Sequence, residues 1–435
     1  MTDNSNDAPV AAGPEPAPGS RRSGRPALRP VAEQLARVLD TIGTIAPIEL
    51  ALLDAQGLLL AEEVHADAPL PGFDNAAMDG YAVRAVDLRQ ATEDHPVVLP
   101  VVGDVMAGAR SMSGMGPGLC MRIMTGAAIP PGADAVIPLE DTDRGVARVA
   151  IHRPIRTGEC VRRTGEDLPA GALALGQGAI LGPQQIALLA AVGHDRVLVQ
   201  PRPRVVVIST GSELVDVGRR AGFGEVSDSN SYMLAAAARD AGADAYRVGI
   251  IPDDHARLLD VLDSQLLRAD VIITSGGVSM GTADIVKEAL SQIGTVEFTT
   301  VAMQPGSPQG FGTLGHEKTP IFCLPGNPAA ALVSFEVFAR PAIRKLLGKR
   351  TVQRQTVEAT ALERMESPDG KRQYRRGLLH REPDGRYSVS LIGGHGSHLI
   401  AAMAASNCLV VLNEDVTEVS PGSRVTVQPL MLAQR

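Results

Sequence analysis

The chain has 435 residues, room for roughly three or four domains at about 100 to 200 residues each, and its 41 Lys plus Arg against 49 Asp plus Glu leave a formal charge of −8. That balance argues against a sequence-independent nucleic-acid binder, which needs a clustered cationic face. With 3% aromatic residues and no tryptophan, base-stacking platforms are also disfavoured, and the 44% of hydrophobic residues must build aliphatic cores. Cys120, Cys160, Cys323 and Cys408 lie far apart with no metal-site spacing, and no apolar run reaches the length of a membrane span. The default expectation is a reduced, cytoplasmic protein that binds neither nucleic acid nor membrane.

In chain order, residues 1–27 are rich in Ala, Pro, Gly and charge without a continuous apolar segment, which predicts a disordered tail rather than a secretory signal. Val31, Leu35, Val38 and Leu39 recur at helical spacing, and IELALLDAQGLLLAEEV reads as a second apolar stretch of a helical region ending near His65. Residues 66–165 change to short β-rich runs such as VVLPVV and DAVIPL, punctuated by Gly and Pro. Helix returns in 166–200, with Pro183 in the first turn and Gly193 as the stop. The expectation is a discontinuous elongated helical domain, 28–65 plus 166–200, holding an inserted β-rich domain. Residues 201–348 alternate strand and helix, the pattern of a doubly wound α/β domain with a mostly parallel sheet. Residues 349–435 read as a small C-terminal β-barrel.

In such a sheet, ligands bind beyond the carboxyl ends of the strands. The loops there are Thr210-Gly211-Ser212-Glu213, Pro252-Asp253-Asp254, Ser275-Gly276-Gly277-Val278-Ser279-Met280-Gly281 with Asp284 beyond, and Leu324-Pro325-Gly326-Asn327-Pro328. Glycine-rich turns and helix starts suit a phosphate-like anion. Carboxylates beside an anion need a hard cation between, so Glu213, Asp253 and Asp284 are the candidate Mg²⁺ ligands, directly or through its waters. Simpler roles compete: Asn327-Pro328 reads first as a helix N-cap, Ser275-Gly276-Gly277 as a tight turn, and Asp253 as a surface cap. Three carboxylates after three strands of one sheet favour function. Met78-Asp79-Gly80, Met124-Thr125-Gly126 and Gly165-Glu166-Asp167 are polar interruptions of β-rich sequence, none specific alone. In Gly394-His395-Gly396-Ser397-His398, the two histidines fit a solvated or anion-facing loop better than a metal site.

Together FDNAAMDGYAVR, RIMTGAAIPPGADAV, RRTGEDLPAG, STGSEL, IIPDD, SGGVSMGTAD, PGSPQGFG, LPGNPAAA and GSH run collinearly from about residue 30 to the C-terminus. In this the chain resembles the molybdopterin molybdenumtransferases, the MoeA-type molybdenum insertases related to the E domain of gephyrin. The resemblance implies a four-domain elongated subunit and an active cleft formed across a homodimer. It implies that adenylated molybdopterin receives molybdate with Mg²⁺ present, releasing AMP and the molybdenum cofactor. It also suggests a molybdopterin adenylyltransferase as partner. Carried over by the motifs, Asp79, Thr125, Asp167, Glu213, Asp253 and Asp284 are the catalytic positions. Ser275, Gly276, Gly277, Ser279, Pro305, Gly306, Pro308, Pro325, Gly326, Asn327, Arg376 and Ser397 are the substrate-binding ones.

One departure stands out. The family commonly has Lys-Pro-Gly-Lys-Pro where this chain has Gln304-Pro305-Gly306-Ser307-Pro308, and often another lysine at Thr300. Neutral groups replace up to three cations, which should weaken anion capture. Ala76, where the motif usually has serine, is a smaller difference. Three other readings follow: an adenylyltransferase, disfavoured by Ser-Gly-Gly-Val-Ser in place of Thr-Gly-Gly-Thr-Gly; a non-catalytic molybdopterin-binding scaffold; and an insertase for tungstate or another oxyanion.

Overall fold

The computed structural model describes residues 28–109, 113–278, 285–293, 295–394 and 396–430. The tail 1–27 and the site candidates Ser279 and Asp284, like His395, lie outside the described residues. The chain divides into two compact units, one formed by Thr44–Arg202 with Leu347–Lys349, the other by the rest.

In the first unit, five strands in the spatial order Ala135–Pro138, Gly80–Val83, Cys120–Ile123, Val97–Val105 and Arg148–Ile151 make the largest sheet. Tyr81, Val83, Cys120, Ile137 and Ile151 fill the core on one side, while Ala76, Ala82, Ile123 and Val136 belong to a second cluster. Ala76 is fully buried there, so the missing serine hydroxyl is a change inside packed apolar surroundings. The apolar stretch read as helix up to His65 is instead three strands, Ile48–Ala51, Leu59–Leu60 and Val64–His65. Gly57, at φ +80°, turns the chain between the first two, and both pair with Arg196–Gln200. A short continuous apolar run suits a buried strand as well as a helix, and Leu58-Leu59-Leu60 is such a run. Pro183–Ala191, with Pro183 opening it, is the one α-helix among the described residues of this unit, so the expected helical domain is largely β.

The helix Val31–Thr41 groups with the second unit instead. Arg29 ties its entry to the sheet edge through backbone hydrogen bonds with Thr300 and Ala302 and two guanidinium hydrogen bonds donated to the Glu297 carboxylate at 2.7 and 3.2 Å. The sheet has the spatial order Asp244–Ile251, Arg204–Thr210, Val271–Ser275, Thr319–Leu324, Pro308–Leu314, Val296–Thr300. The first four strands are mutually parallel and the last two antiparallel. Val205 to Ile208 and Val271 to Ile273 are wholly buried, as strands covered by helices on both faces must be. Asn230–Ala241 ends at Gly242 in the left-handed region, and Asp254 caps His255–Leu266 by accepting from the Arg257 N–H. The last helical stretch before the C-terminal strands runs through Pro328–Ser334, a π-turn at Phe335–Ala339 and Arg340–Leu346.

Beyond it, five strands close into a barrel in the order Arg372–Arg381, Tyr387–Leu391, Val357–Ala361, Arg424–Pro429, Cys408–Leu412 and back to the first. Val389, Cys408, Val410 and Val427 fill it. Met303–Gln304 pairs in parallel with Arg372–Gln373, which fastens the lysine-poor loop to this barrel. Among the described residues no helix is long and apolar enough to cross a membrane.

Candidate active site

The loops at the carboxyl ends of the parallel strands line one cavity of about 710 Å³. Of the residues singled out by sequence, Glu213, Asp253, Ser275, Gly276, Gly277, Pro308, Pro325, Gly326 and Asn327 stand in its wall, joined by His398 from the barrel. The two carboxylate loops are laced together: Ser212 N–H donates to the Asp253 carboxylate at 3.1 Å, and Asp253 N–H donates to Ser212 Oγ at 3.1 Å. Gly211, at φ +152°, lies under the Glu213 side chain, whose carboxylate oxygen would stand 2.6 Å from an added Cβ. In the Asp253-Asp254 pair the capping role belongs to Asp254, which leaves Asp253 to the cavity.

The glycine turn is required by both backbone and packing. Gly276 and Gly277 have φ of +102° and +67°, and Cβ atoms would meet Thr210 O at 2.4 Å and Val286 Cγ2 at 2.6 Å. The Gly276 N–H donates to Leu324 O at 3.1 Å, which ties the turn to the neighbouring strand. Asn327 does stand at the N-cap position with Pro328 following, yet its side chain makes no capping bond.

Two further residues of this wall, Asp228 and Asn230, are not among those the sequence singles out. Asp228, 1% exposed, accepts from Ser209 Oγ at 2.9 Å and Ser231 N–H at 3.1 Å, and faces Arg247 at 3.4 Å. Asn230 braces two loops, its amide donating to Ser275 Oγ at 2.9 Å and Gly326 O at 2.6 Å. The available signal is SDSN, an acid and an amide two residues apart at the start of the helix Asn230–Ala241.

A second, small cavity of about 30 Å³ gathers Gln304, Pro305, Arg375, Arg376, Gly394 and Ser397. Arg376 donates to Gly394 O at 2.7 Å and Gly396 O at 3.1 Å, while its Nε is buried without a partner. Burial lowers the pKa of both arginines, and Arg376 also acts on its neighbour. Gly306 belongs to neither cavity: it is buried under the last helix, where a Cβ would meet Ser334 Oγ at 2.6 Å. Ser307 turns inward, donating to Val301 O at 2.6 Å.

In the other unit, the structure joins Asp79 to Thr125. One carboxylate oxygen of Asp79 accepts from both the Thr125 N–H and its hydroxyl at 2.7 Å, holding this exposed acid below the usual carboxylate range. No hydrogen bond or ion pair among the described residues joins Asp167 to that pair. Its loop is instead fixed by Asp74, which accepts from Thr164 N–H and hydroxyl at 2.8 Å and from Arg163 at 2.6 Å. Those donors, the Thr164 N–H first, bring the Asp74 pKa down to about 2.

Among the described residues no cluster of three or more His, Cys, Asp or Glu side chains is placed to hold a metal ion. Besides the buried Asp228, Glu213 and Asp253 give the large cavity two carboxylates beside serine and threonine hydroxyls, a hard-oxygen donor set with no thiol among the described residues.

Residues 29–193 match the MoeA N-terminal region (domain I and II), 206–345 a probable molybdopterin binding domain, and 358–430 the MoeA C-terminal region (domain IV). The chain is 46% identical to molybdopterin molybdenumtransferase 1 of Mycobacterium tuberculosis over 92% of its own length and 98% of that protein. It is 36% identical to the molybdopterin molybdenumtransferase of Haemophilus influenzae, covering 87% and 93%. A crystal structure of the molybdopterin biosynthesis MoeA protein of Pyrococcus horikoshii superposes with a TM-score of 0.79 at 30% identity, covering 93% of this chain and 99% of that one. The parallel sheet, the closed barrel and matches along nearly the whole length converge, and the chain belongs to the MoeA family of molybdopterin molybdenumtransferases.

Proposed function

We propose that the protein is a transferase of molybdenum cofactor biosynthesis that inserts molybdate into adenylated molybdopterin and releases AMP and the finished cofactor. The observation that carries this is the large cavity, where Glu213 and Asp253 face the glycine turn at the carboxyl ends of the parallel strands. Opening a phosphoanhydride requires its negative charge to be neutralised and its atoms to be aligned. Mg²⁺, held by Glu213 and Asp253 and, as the motif implies, Asp284, would supply that neutralisation when bound. Two carboxylates suit this ion, which keeps several waters and takes its remaining ligands from phosphate oxygens.

The chain's own groups do the positioning. Ser212 fixes the Asp253 carboxylate, Asn230 sets the spacing of the Ser275 and Gly326 loops, and Pro308 and Pro325 shape the floor. Asp79, with Thr125, and Asp167 contribute further carboxylates in this reading. Arg376, Ser397, Gln304 and Pro305 form the anion pocket, beside which Pro308 and Gly306 hold the loop. The retained carboxylates favour catalysis over a scaffold. A homodimer and a molybdopterin adenylyltransferase supplying the adenylated substrate belong to the same proposal.

A tungstate-type or other oxyanion specificity is the second reading, favoured by the neutral Gln304 in the small cavity and by the inward-turned Ser307. Purified protein with adenylated molybdopterin and Mg²⁺ should release AMP on adding molybdate. A stronger response to tungstate would select the second reading, and no AMP with either anion would overturn both.

A further inference from the structure

We propose that Phe223 is a ligand-contacting residue, which the loop Asp216–Glu225 lays against the flat heteroaromatic ring of the molecule in the large cavity. The proposal rests on the reading of that cavity as the site of a nucleotide-linked ligand. The loop's base is fixed at the cavity wall. Leu214 and Val215 pair in parallel with Val226 and Ser227, Val226 N–H donates to Glu213 O at 2.8 Å, and Leu214, Val226 and Ser227 line the cavity. Between these ends the chain makes a compact loop of the kind that often carries function.

The tip is organised within itself. The Glu225 carboxylate accepts from Gly222 N–H at 2.8 Å and from Arg219 at 2.9 Å. Gly218 precedes this knot and Gly224 lies within it, at φ +96° and +81°, backbone conformations that favour glycine. Phe223 stands fully exposed on it, with Val217 and Val226 also more than half exposed.

A bare ring here is out of keeping with the rest of the chain. Of the 7 phenylalanines, only Phe73 and Phe223 are exposed; the others pack in or against cores. Among the described residues the cavity wall has no Phe, Tyr or Trp, so a purine or pterin held there would find no aromatic face in it. Phe223 is three residues from Val226, a reach of about 10 Å at roughly 3.3 to 3.6 Å per residue. Ring-on-base contact commonly changes affinity by roughly tenfold or more on truncation to alanine.

Because the chain lacks tryptophan, Phe223→Trp introduces a single fluorescent reporter. Titration with AMP and, separately, with neopterin monophosphate should quench and shift its emission, and the probe that does so identifies the ring contacted. Phe223→Ala should weaken that probe by about tenfold while leaving inorganic pyrophosphate binding unchanged. Binding of both probes by calorimetry with unmoved emission and unchanged affinity in Phe223→Ala would overturn the proposal alone. Failure of the wild-type protein to bind either probe would remove the reading of the cavity and this proposal with it. Emission already buried without ligand, and exposed on dilution, would mean that a second copy covers the ring and would also overturn it.

Discussion

Removing the Asp228 carboxylate should loosen the cavity wall while sparing every carboxylate assigned to metal or ligand. In Asp228→Ala, the Ser231 N–H and the hydroxyls of Ser209 and Ser231 lose their acceptor in a buried place, at roughly 1–3 kcal/mol each. Arg247 is not stranded, because Asp216 lies 3.5 Å away and the Tyr232 ring 3.5 Å beneath the guanidinium. Both serine hydroxyls can rotate toward another acceptor, so the expected net loss is about 3 kcal/mol, the sum of the three lower values. With several domains in the chain a single melting midpoint mixes transitions. Amide hydrogen exchange over residues 228–234 reads the local term directly, and about 3 kcal/mol corresponds to roughly a hundredfold faster exchange there. Asp228→Asn keeps the volume and one acceptor oxygen and should lose about half as much. Exchange within threefold of wild type in Asp228→Ala would show that the network carries no local stability.

The depressed Asp74 pKa has a pH signature. A carboxyl at about 2 when folded, against 3.8 ordinarily, contributes stability that is fully present above pH 4 and lost as pH falls toward 2. Exchange or proteolysis in residues 163–167 should therefore rise across that window, and Asp74→Asn should show the open loop already at neutral pH. Gln304→Lys with Ser307→Lys should lower the molybdate concentration at half-saturation, more at low salt than at high; no change at any ionic strength would remove this loop from the anion site. The Ser307 half also gives up its bond to Val301, about 1 kcal/mol, so stability should fall slightly even as capture improves. Deleting residues 1–27 should leave melting and turnover almost unchanged, whereas deletion through Pro30 removes the Arg29–Glu297 pair and should destabilise the helix Val31–Thr41 measurably.

The α/β domain was legible because its signals are redundant. Buried strands read as continuous Val and Ile runs, helices begin at Asp254 and Pro328 and stop at Gly242, and the ligand loops follow from the direction of parallel strands. Residues 47–65 were not, because Leu58-Leu59-Leu60 has no period of its own; the partner that makes a strand of it, Arg196–Gln200, is more than a hundred residues away. The same limit hid Asn230. An amide before a helix looks like a cap, and only the tertiary fold brings Ser275 and Gly326 to its other side. Asp74 escaped notice for a related reason: the motif drew attention to Asp79, while the acid that holds the Asp167 loop is the one whose partners lie about ninety residues on.

The lysine-poor loop acquires its meaning from where the fold puts it. Gln304 is paired into the barrel beside Arg372 and Gln373, and so stands in one small cavity with Arg375 and Arg376. The positive charge of that cavity comes from two arginines on one strand, neither in an ion pair with a carboxylate among the described residues. Arg376 spends its terminal donors on the Gly394 and Gly396 carbonyls, so an anion must compete with the loop for them, whereas a lysine at 304 or 307 would bring donors of its own. Burial lowers both arginine pKa values, but a guanidinium remains charged throughout the physiological range, so the cavity stays cationic at any pH of interest. The replacement therefore shifts the pocket from mobile point charges toward fixed, partly engaged planar donors. Such a site gains geometric selectivity among tetrahedral oxyanions and gives up long-range attraction, and the dependence of half-saturation on ionic strength separates the two.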